Sequence, residues 1–372
     1  MPLYHNDDQV MLKDSVAPFI ADSAPVAHLR KLRDTKDETG FSRELWASFT
    51  EMGLPGILVP EAHGGLGMGH AEAGIVLEEI GRNLTPSPFL STSVGAVAAL
   101  AKAGGTQAAR WLPAIAAGEA IAALAIDEGA KHRPERIATT ATRSGNGFRL
   151  DGKKSFVLHG HVADLMLVAA QSDDGVTLFA VPKDSAGVTA DPRRLVDSSL
   201  ASHVTLDGVM VDADAVVGEV GQGQAVLDAL LAATRTGASA ELIGVGQGAM
   251  DMTVDYLKQR KQFGKLIGEF QALQHRAAHL YGEMEVARAT VMKAQQLLDE
   301  DNAGATLMVS VAKAKASRAC NLAVREGVQM HGGIGMTDEY DIGLYMKRDR
   351  ALAEFMGDAH YHTDRVARLN GY

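Results

Sequence analysis

The chain has almost no cysteine: Cys320 is the only one among 372 residues. A lone thiol makes no internal disulfide and no thiolate metal cluster, which points to a reducing compartment and away from a cysteine-ligated metal centre. No apolar run reaches the ~18 residues that a bilayer crossing requires. Basic charge is also short, since 36 Lys and Arg against 46 Asp and Glu leave a net charge of −10. That balance works against nucleic acid and anionic lipid as partners. The opening Met1-Pro2-Leu3-Tyr4-His5-Asn6-Asp7-Asp8 is polar and acidic, where a secretory leader is basic and then apolar. The G-x-S-x-G turn of serine hydrolases is absent too. What remains is a cytoplasmic protein without metal, membrane or nucleic acid.

Hydrophobic residues make up 46% and charged residues 22%, and the length calls for two or three packed units. Three segments follow from the periodicity. Residues 1–118 read as an N-terminal all-α domain, with Ser42 as N-cap of a helix carrying Leu45, Trp46, Phe49 and Met52, and Pro60 to Gly69 as a glycine-rich loop. Residues 119–219 read as a middle antiparallel β-domain of short strands. Turn chemistry at Ser144-Gly145-Asn146-Gly147, Asp151-Gly152, Ser172-Asp173-Asp174-Gly175 and Asp207-Gly208 separates them. Residues 220–372 read as a C-terminal four-helix bundle. Phe270, Leu273, Ala277, Leu280, Met284, Ala287, Val291, Ala294 and Leu298 form a stripe at spacings of 3 and 4, the seam of a long helix among near-antiparallel neighbours. The fold class is α+β.

Several apparent signals carry little. Gly218, Gly221 and Gly223 lack the spacing and the βαβ setting of a dinucleotide turn and read as a strand-to-helix connection. His275 and His279 share a helix face without the glutamate of a zinc protease, and His360 and His362 read in the same way, as surface or interhelical histidines. Two segments stand out instead: Arg260-Lys261-Gln262-Phe263-Gly264 leading to Phe270-Gln271, and Gln329-Met330-His331-Gly332-Gly333-Ile334-Gly335. In the first, a helix ends on a guanidinium that can grip phosphate, while Gln271 can donate and accept at a ring edge. In the second, glycines remove side chains where a nucleotide can rest on backbone N–H groups. Each alone also reads as a helix corner with a glycine cap.

Together and in this order, the two segments resemble the FAD motifs of the acyl-CoA dehydrogenase family, and the order of helical, β and helical segments resembles its architecture over the whole chain. The resemblance implies α,β-desaturation of an acyl-CoA thioester. A carboxylate takes the α-proton, hydride passes from Cβ to the flavin N5, and electrons leave for an electron-transfer flavoprotein. It implies FAD held by Arg260, Gln262, Phe263, Gln271, Gln329, Gly332 and Gly333, the last group usually meeting the FAD of a neighbouring subunit. Phe156 packs near the flavin in place of the family's tryptophan. The expected assembly is a homotetramer, or a heterotetramer with a homologous subunit.

The chain departs from the family pattern in three places. The flavin-contacting loop becomes Ile126-Asp127-Glu128-Gly129-Ala130-Lys131-His132-Arg133, without hydroxyls; its cationic end reads as a solvated loop or as a contact for a dicarboxylyl-CoA. The strand against the flavin becomes Phe156-Val157-Leu158. The position of the usual catalytic glutamate is Gly357, and the residue at the minority position, before Arg235, is Thr234. Glu241 lies two turns beyond Thr234, about 10 Å along the helix. In its small apolar setting a carboxylate needs a reason to exist. It is read as the base with Arg235 in support, or as a structural carboxylate paired with an arginine, with Asp358 as a further source. Lys154 to Gly160, His331 to Tyr340 and Gly357-Asp358-Ala359-His360 resemble the pimeloyl-CoA dehydrogenase small subunit and the heteromeric steroid side-chain subgroup. That likeness implies an alternative, a non-catalytic subunit that completes a partner's FAD site.

Overall fold

Asn6 starts the first helix through a capping box: its side chain accepts from Gln9 N at 2.8 Å while Gln9 Oε1 takes the Asn6 N–H at 3.1 Å. The computed structural model describes residues 3–372. In chain order it begins with α1 (Asp7–Ser23), α2 (Val26–Asp34), α3 (Arg43–Glu51), α4 (His70–Arg82), α5 (Val97–Ala103) and α6 (Gly105–Ala116). Eight strands follow: β1 (Ala122–Ala125), β2 (Thr140–Ser144), β3 (Gly147–Leu158), β4 (Leu165–Ser172), β5 (Gly175–Pro182), β6 (Val188–Arg194), β7 (Leu200–Asp212) and β8 (Val216–Val217). The chain closes with α7 (Gly223–Gln259), the hairpin β9 (Lys261–Gln262) and β10 (Lys265–Leu266), then α8 (Gln271–Asp299), α9 (Ala305–His331), α10 (Ile342–Glu354) and α11 (Ala359–Leu369). No helix among the described residues is long and apolar enough to cross a membrane.

Two units partition this chain. One holds residues 32–69 and 86–234; the other takes the chain up to Lys31, residues 70–85 and everything from Arg235 onward. The chain passes from the first to the second inside α7. In the first unit the sheet runs β6-β7-β3-β2-β4-β5-β8, with β1 added alongside β4. It is mixed rather than purely antiparallel, because β1 lies parallel to β4 from Ala122↔Leu165 to Ala125↔Val168. Both strands are buried almost throughout, as parallel strands usually are.

The dipeptides Asp151-Gly152 and Asp207-Gly208, expected as turns, face each other inside one long β3–β7 ladder. The register moves from Leu150↔Val209 to Gly152↔Leu206, so β7 bulges by one residue. Gly208 takes φ +63°, and its N–H goes to Asp151 Oδ1 at 2.9 Å. The aspartate supplies the acceptor that the interrupted ladder withdraws, which turns two apparent stops into one bulge.

In the helical unit, α8 packs along α9 with Leu280, Met284, Ala287, Val291 and Ala294 buried, while Leu273 and Ala277 near its start are half-buried. The crossing of α4 and α7 is closer still. A Cβ on Gly244 would overlap the Glu78 carbonyl oxygen, and one on Gly81 would overlap that of Glu241. This backbone contact sets the height of Glu241 against its neighbours. Gly244→Ala is expected to cost about 2 kcal/mol or more by overpacking. Alanine's better helix propensity, about 1 kcal/mol, offsets only part of that. A fall in the urea midpoint checks it, and an unchanged or raised midpoint refutes the close crossing.

Candidate functional site

A second bulge lies on β3. Between Lys154↔Val204 and Val157↔Ser202, the residues Ser155 and Phe156 oppose His203 alone. Phe156 is forced to φ +56°, and its ring stands 45% exposed, 6.1 Å from that of His203. An aromatic face is therefore presented outward by a backbone shape that costs energy. The adjoining loop 126–133 is exposed at Gly129, Ala130, Lys131 and Arg133, as a solvated loop would be, and is anchored at its other residues. Lys154 is buried, and its Nζ donates to Glu128 at 2.7 Å, Ala169 O at 2.6 Å and Ile126 O at 3.2 Å. Burial would raise the Glu128 pKa, but hydrogen bonds from Lys154 and Thr139 outweigh it and hold the group below its ordinary value. His132 is buried with Nδ1 2.8 Å from Asp127 Oδ2, so among the three cationic candidates it faces inward.

One region of this unit escaped sequence reasoning. Leu90–Ala96 is a π-helical turn, entirely buried, in which Thr92 Oγ1 donates to Ala122 O at 3.1 Å and Ser93 Oγ has no hydrogen-bond partner. A Cβ on Gly95 would meet Thr234 Oγ1 at 2.5 Å. Thr234 itself is buried, with its hydroxyl given to Leu230 O at 2.7 Å. Wide helical turns of this kind recur at functional sites, and nothing in the residue order announces one.

In the helical unit the motif residues gather at helix ends. Tyr256, one turn before Arg260, stacks on His331 at 4.4 Å, and Tyr340 closes against the same imidazole at 4.7 Å. The end of α7 is thereby tied to the end of α9. The start of α8 joins them through Arg276 and Glu326 at 2.5 Å. Arg260, Gln262, Phe263, Gln271, Gln329, Gly332 and Gly333 are all exposed there, Phe263 at 91%. Gly332 has φ +65°, and a Cβ on it or on Gly333 would meet nothing within 4 Å. Packing inside the chain requires neither glycine, the positive φ favours glycine at 332, and the two leave a stretch of bare backbone. His331 Nε2, buried and without a partner, lies beside them. Exposed guanidinium, amides and bare backbone at one end of the helices suit a dinucleotide such as FAD.

The candidate base is buried and paired with an arginine, as one of its two readings expects, but the arginine is not Arg235. Glu241 is 2% exposed and forms an ion pair with Arg348, which approaches Oε1 through Nε at 3.0 Å and also through Nη2. Arg235, expected to support Glu241, turns to the segment after α10: Nε donates to Met356 O at 3.2 Å and Nη2 to Tyr361 Oη at 3.2 Å. Asp358 is the N-cap of α11, accepting from Tyr361 N at 2.8 Å. His275, His279 and His360 are exposed, whereas His362 is fully buried and meets Met356 O at 3.0 Å. No group of three or more His, Cys, Asp or Glu suited to a metal occurs among the described residues.

Family models for the N-terminal, middle and C-terminal domains of acyl-CoA dehydrogenases match residues 6–119, 124–209 and 221–369. The chain belongs to the acyl-CoA dehydrogenase family. As such it is an oxidoreductase acting on acyl-CoA, and FAD is its cofactor. Acyl-CoA dehydrogenase FadE12 of Mycobacterium tuberculosis is 33% identical over 362 residues, 93% of this chain and 91% of the relative. Acyl-CoA dehydrogenase IpdE2 of Mycolicibacterium smegmatis is also 33% identical, covering 97% and 98%. Among solved structures, the ChsE4–ChsE5 complex from Mycobacterium tuberculosis superposes with TM-score 0.92 at 28% identity, all of both chains being covered. The Tcur3481–Tcur3483 steroid acyl-CoA dehydrogenase variant gives 0.90 at 30%, covering 98% of each chain.

Proposed function

We propose that this acyl-CoA dehydrogenase works as one subunit of a heteromeric enzyme. It holds FAD and helps to bind an acyl-CoA, while a homologous subunit supplies the carboxylate that removes the α-proton. One observation carries the reading: the buried acid that could be the base, Glu241, is taken up by Arg348. A base needs its lone pair within hydrogen-bond reach of the proton it removes. Gly357 has no side chain to offer one, the Thr234 hydroxyl is bonded to Leu230 O, and Asp358 caps α11. The likeness to the ChsE4–ChsE5 complex supports a two-subunit assembly.

FAD, when bound, supplies the redox chemistry by accepting the hydride from Cβ, and an electron-transfer flavoprotein would receive the electrons. This chain's residues serve binding and placement. Arg260 and the bare Gly332-Gly333 backbone would hold phosphates, Gln262, Gln271 and Gln329 would read polar edges, and Phe263 and Phe156 would each offer an aromatic surface. A second reading keeps Glu241 as base, because Arg348 Nε and Nη2 approach it through Oε1 and a proton would be taken through Oε2.

Glu241→Gln separates the two. Glutamine retains an acceptor for Arg348 but cannot take a proton. In the enzyme co-purified with a homologous subunit, anaerobic flavin bleaching by an acyl-CoA panel should keep its rate within about tenfold. A loss of 10²–10⁴-fold, the scale of a removed general base, would restore Glu241 as catalyst.

A further inference from the structure

A cavity of about 420 Å³ lies among α1, α4, α7 and α8 of the helical unit, with Leu3, Tyr4 and His5 along one side and none of the flavin-motif residues in its walls. Those walls carry many charges, and most are neutralised inside the chain. Arg288 pairs with Glu78, stands 3.5 Å from Glu285 through Nε, and donates to Gln247 Oε1 at 2.8 Å. Arg82 Nη2 donates to Asp251 Oδ2 at 2.6 Å, and Gln247 Nε2 donates to the other oxygen of that carboxylate at 2.8 Å. Burial and the charges of Lys13 and Arg288 hold the His5 pKa below its ordinary value, so this ring is uncharged at neutral pH.

Two lining groups are left over. Glu79 is 4% exposed, and its carboxylate makes no hydrogen bond or ion pair among the described residues. Burial raises its pKa against the pull of Arg82 and Lys13, neither of which bonds to it. Lys13, half-buried on α1, makes no ion pair there either, while its charge acts on Glu78, Glu79 and His5 together. A buried carboxylate is costly unless something compensates it, and nothing in the described chain bonds to this one. An uncommitted acid and an uncommitted ammonium thus share one cavity with the apolar surface of Leu3, Tyr4 and Met292.

We propose that this cavity binds a small zwitterion with an apolar body, of the class of a free aliphatic amino acid. Its ammonium would sit on Glu79, its carboxylate on Lys13, and its side chain against Tyr4 and Met292. Charge selects the class. A bare anion would meet Glu79 unpaired and a bare amine would meet Lys13, whereas a ligand with both charges satisfies both groups and leaves the Arg288 and Arg82 pairs intact. The volume falls in the range of small-molecule sites, about 300–1,000 Å³. This site holds whichever subunit supplies the base for the acyl-CoA reaction.

Calorimetric titration of the FAD-loaded protein in its native assembly tests the site, with L-leucine, isoamylamine and isocaproate as probes. The amine lacks the carboxylate of leucine, and the acid lacks its ammonium. Leucine should bind saturably with a Kd of about 1 mM or tighter. Each analogue should bind at least about tenfold more weakly, the scale of one lost charge-assisted hydrogen bond. Glu79→Gln and Lys13→Met should each weaken leucine by about the same factor, with flavin content unchanged. Without ligand, Glu79→Gln should leave Tm unchanged or raise it, because an uncompensated buried charge is removed. A fall of about 5 °C or more would assign Glu79 a partner within the chain and overturn the site. Absence of leucine binding, equal affinity for either analogue, or binding that survives Glu79→Gln would overturn it as well.

Discussion

Glu241→Ala should destabilise the folded protein by about 3 kcal/mol, because it removes the buried carboxylate that pairs with Arg348. Removing one partner of a buried ion pair typically costs about 3–5 kcal/mol, since the surviving charge keeps its desolvation without its compensation. The lower end applies here: the Arg348 side chain is 22% exposed and reaches some water, whereas Glu241 is 2% exposed. Glu241→Gln, which can still accept from the guanidinium, should lose far less. Urea midpoints of the two variants and of Arg348→Ala give the comparison. Near-equal midpoints for wild type and Glu241→Ala would mean that the ion pair does not anchor α7 to α10.

Lys313→Met should remove a rise in stability with pH. Lys313 is fully buried on α9, and its Nζ donates to Ala353 O at 2.9 Å, Gly357 O at 3.1 Å and Leu352 O at 3.3 Å. Burial, helped by the Arg235 charge from α7, pushes its pKa down to about 7, against the opposing pull of Asp349 and Glu354 on α10 and of Asp358 in the following turn. The unfolded chain binds this proton up to its ordinary value of 10.5, so between about 7 and 10.5 it carries more protons than the folded chain. Stability therefore increases with pH across that window and is lost as pH falls toward 7. Integrated over the interval, the effect is roughly 4 kcal/mol. Urea midpoints from pH 7 to 10 should climb in the wild type and flatten in Lys313→Met. Parallel curves would show that Lys313 does not titrate in this range.

Both predictions concern contacts between distant parts of the chain, which is where sequence reading ran out. The Glu241–Arg348 pair joins residues 107 apart, and no local pattern distinguishes Arg348 from other arginines as the partner. Arg235, on the same helix as Glu241, was the natural choice by proximity along the chain, yet the fold directs it to Met356 and Tyr361. The flavin motifs behaved differently. Arg260, Gln271, Gln329 and Gly332 sit at or near helix ends, which local residue order sets, so their placement was legible before any packing was known.

The same division runs through the fold. Amphipathic stripes, caps such as Ser42, and the change from helical to alternating period determined the order of helices, strands and helices, because these are local preferences repeated over many residues. Glycines facing each other at the α4–α7 crossing, two bulges in the β3–β7 ladder, and the π-helical turn at 90–96 were decided only by tertiary structure. Each depends on a neighbour brought close by folding: a carbonyl against Gly244, Asp151 beneath Gly208, Tyr361 over Gly357. By itself the sequence determined the family and the cofactor. Tertiary structure decided how closely Gly357 is crowded and how Glu241 is held, because volume and ion pairing are properties of contacts between segments rather than of residues in order.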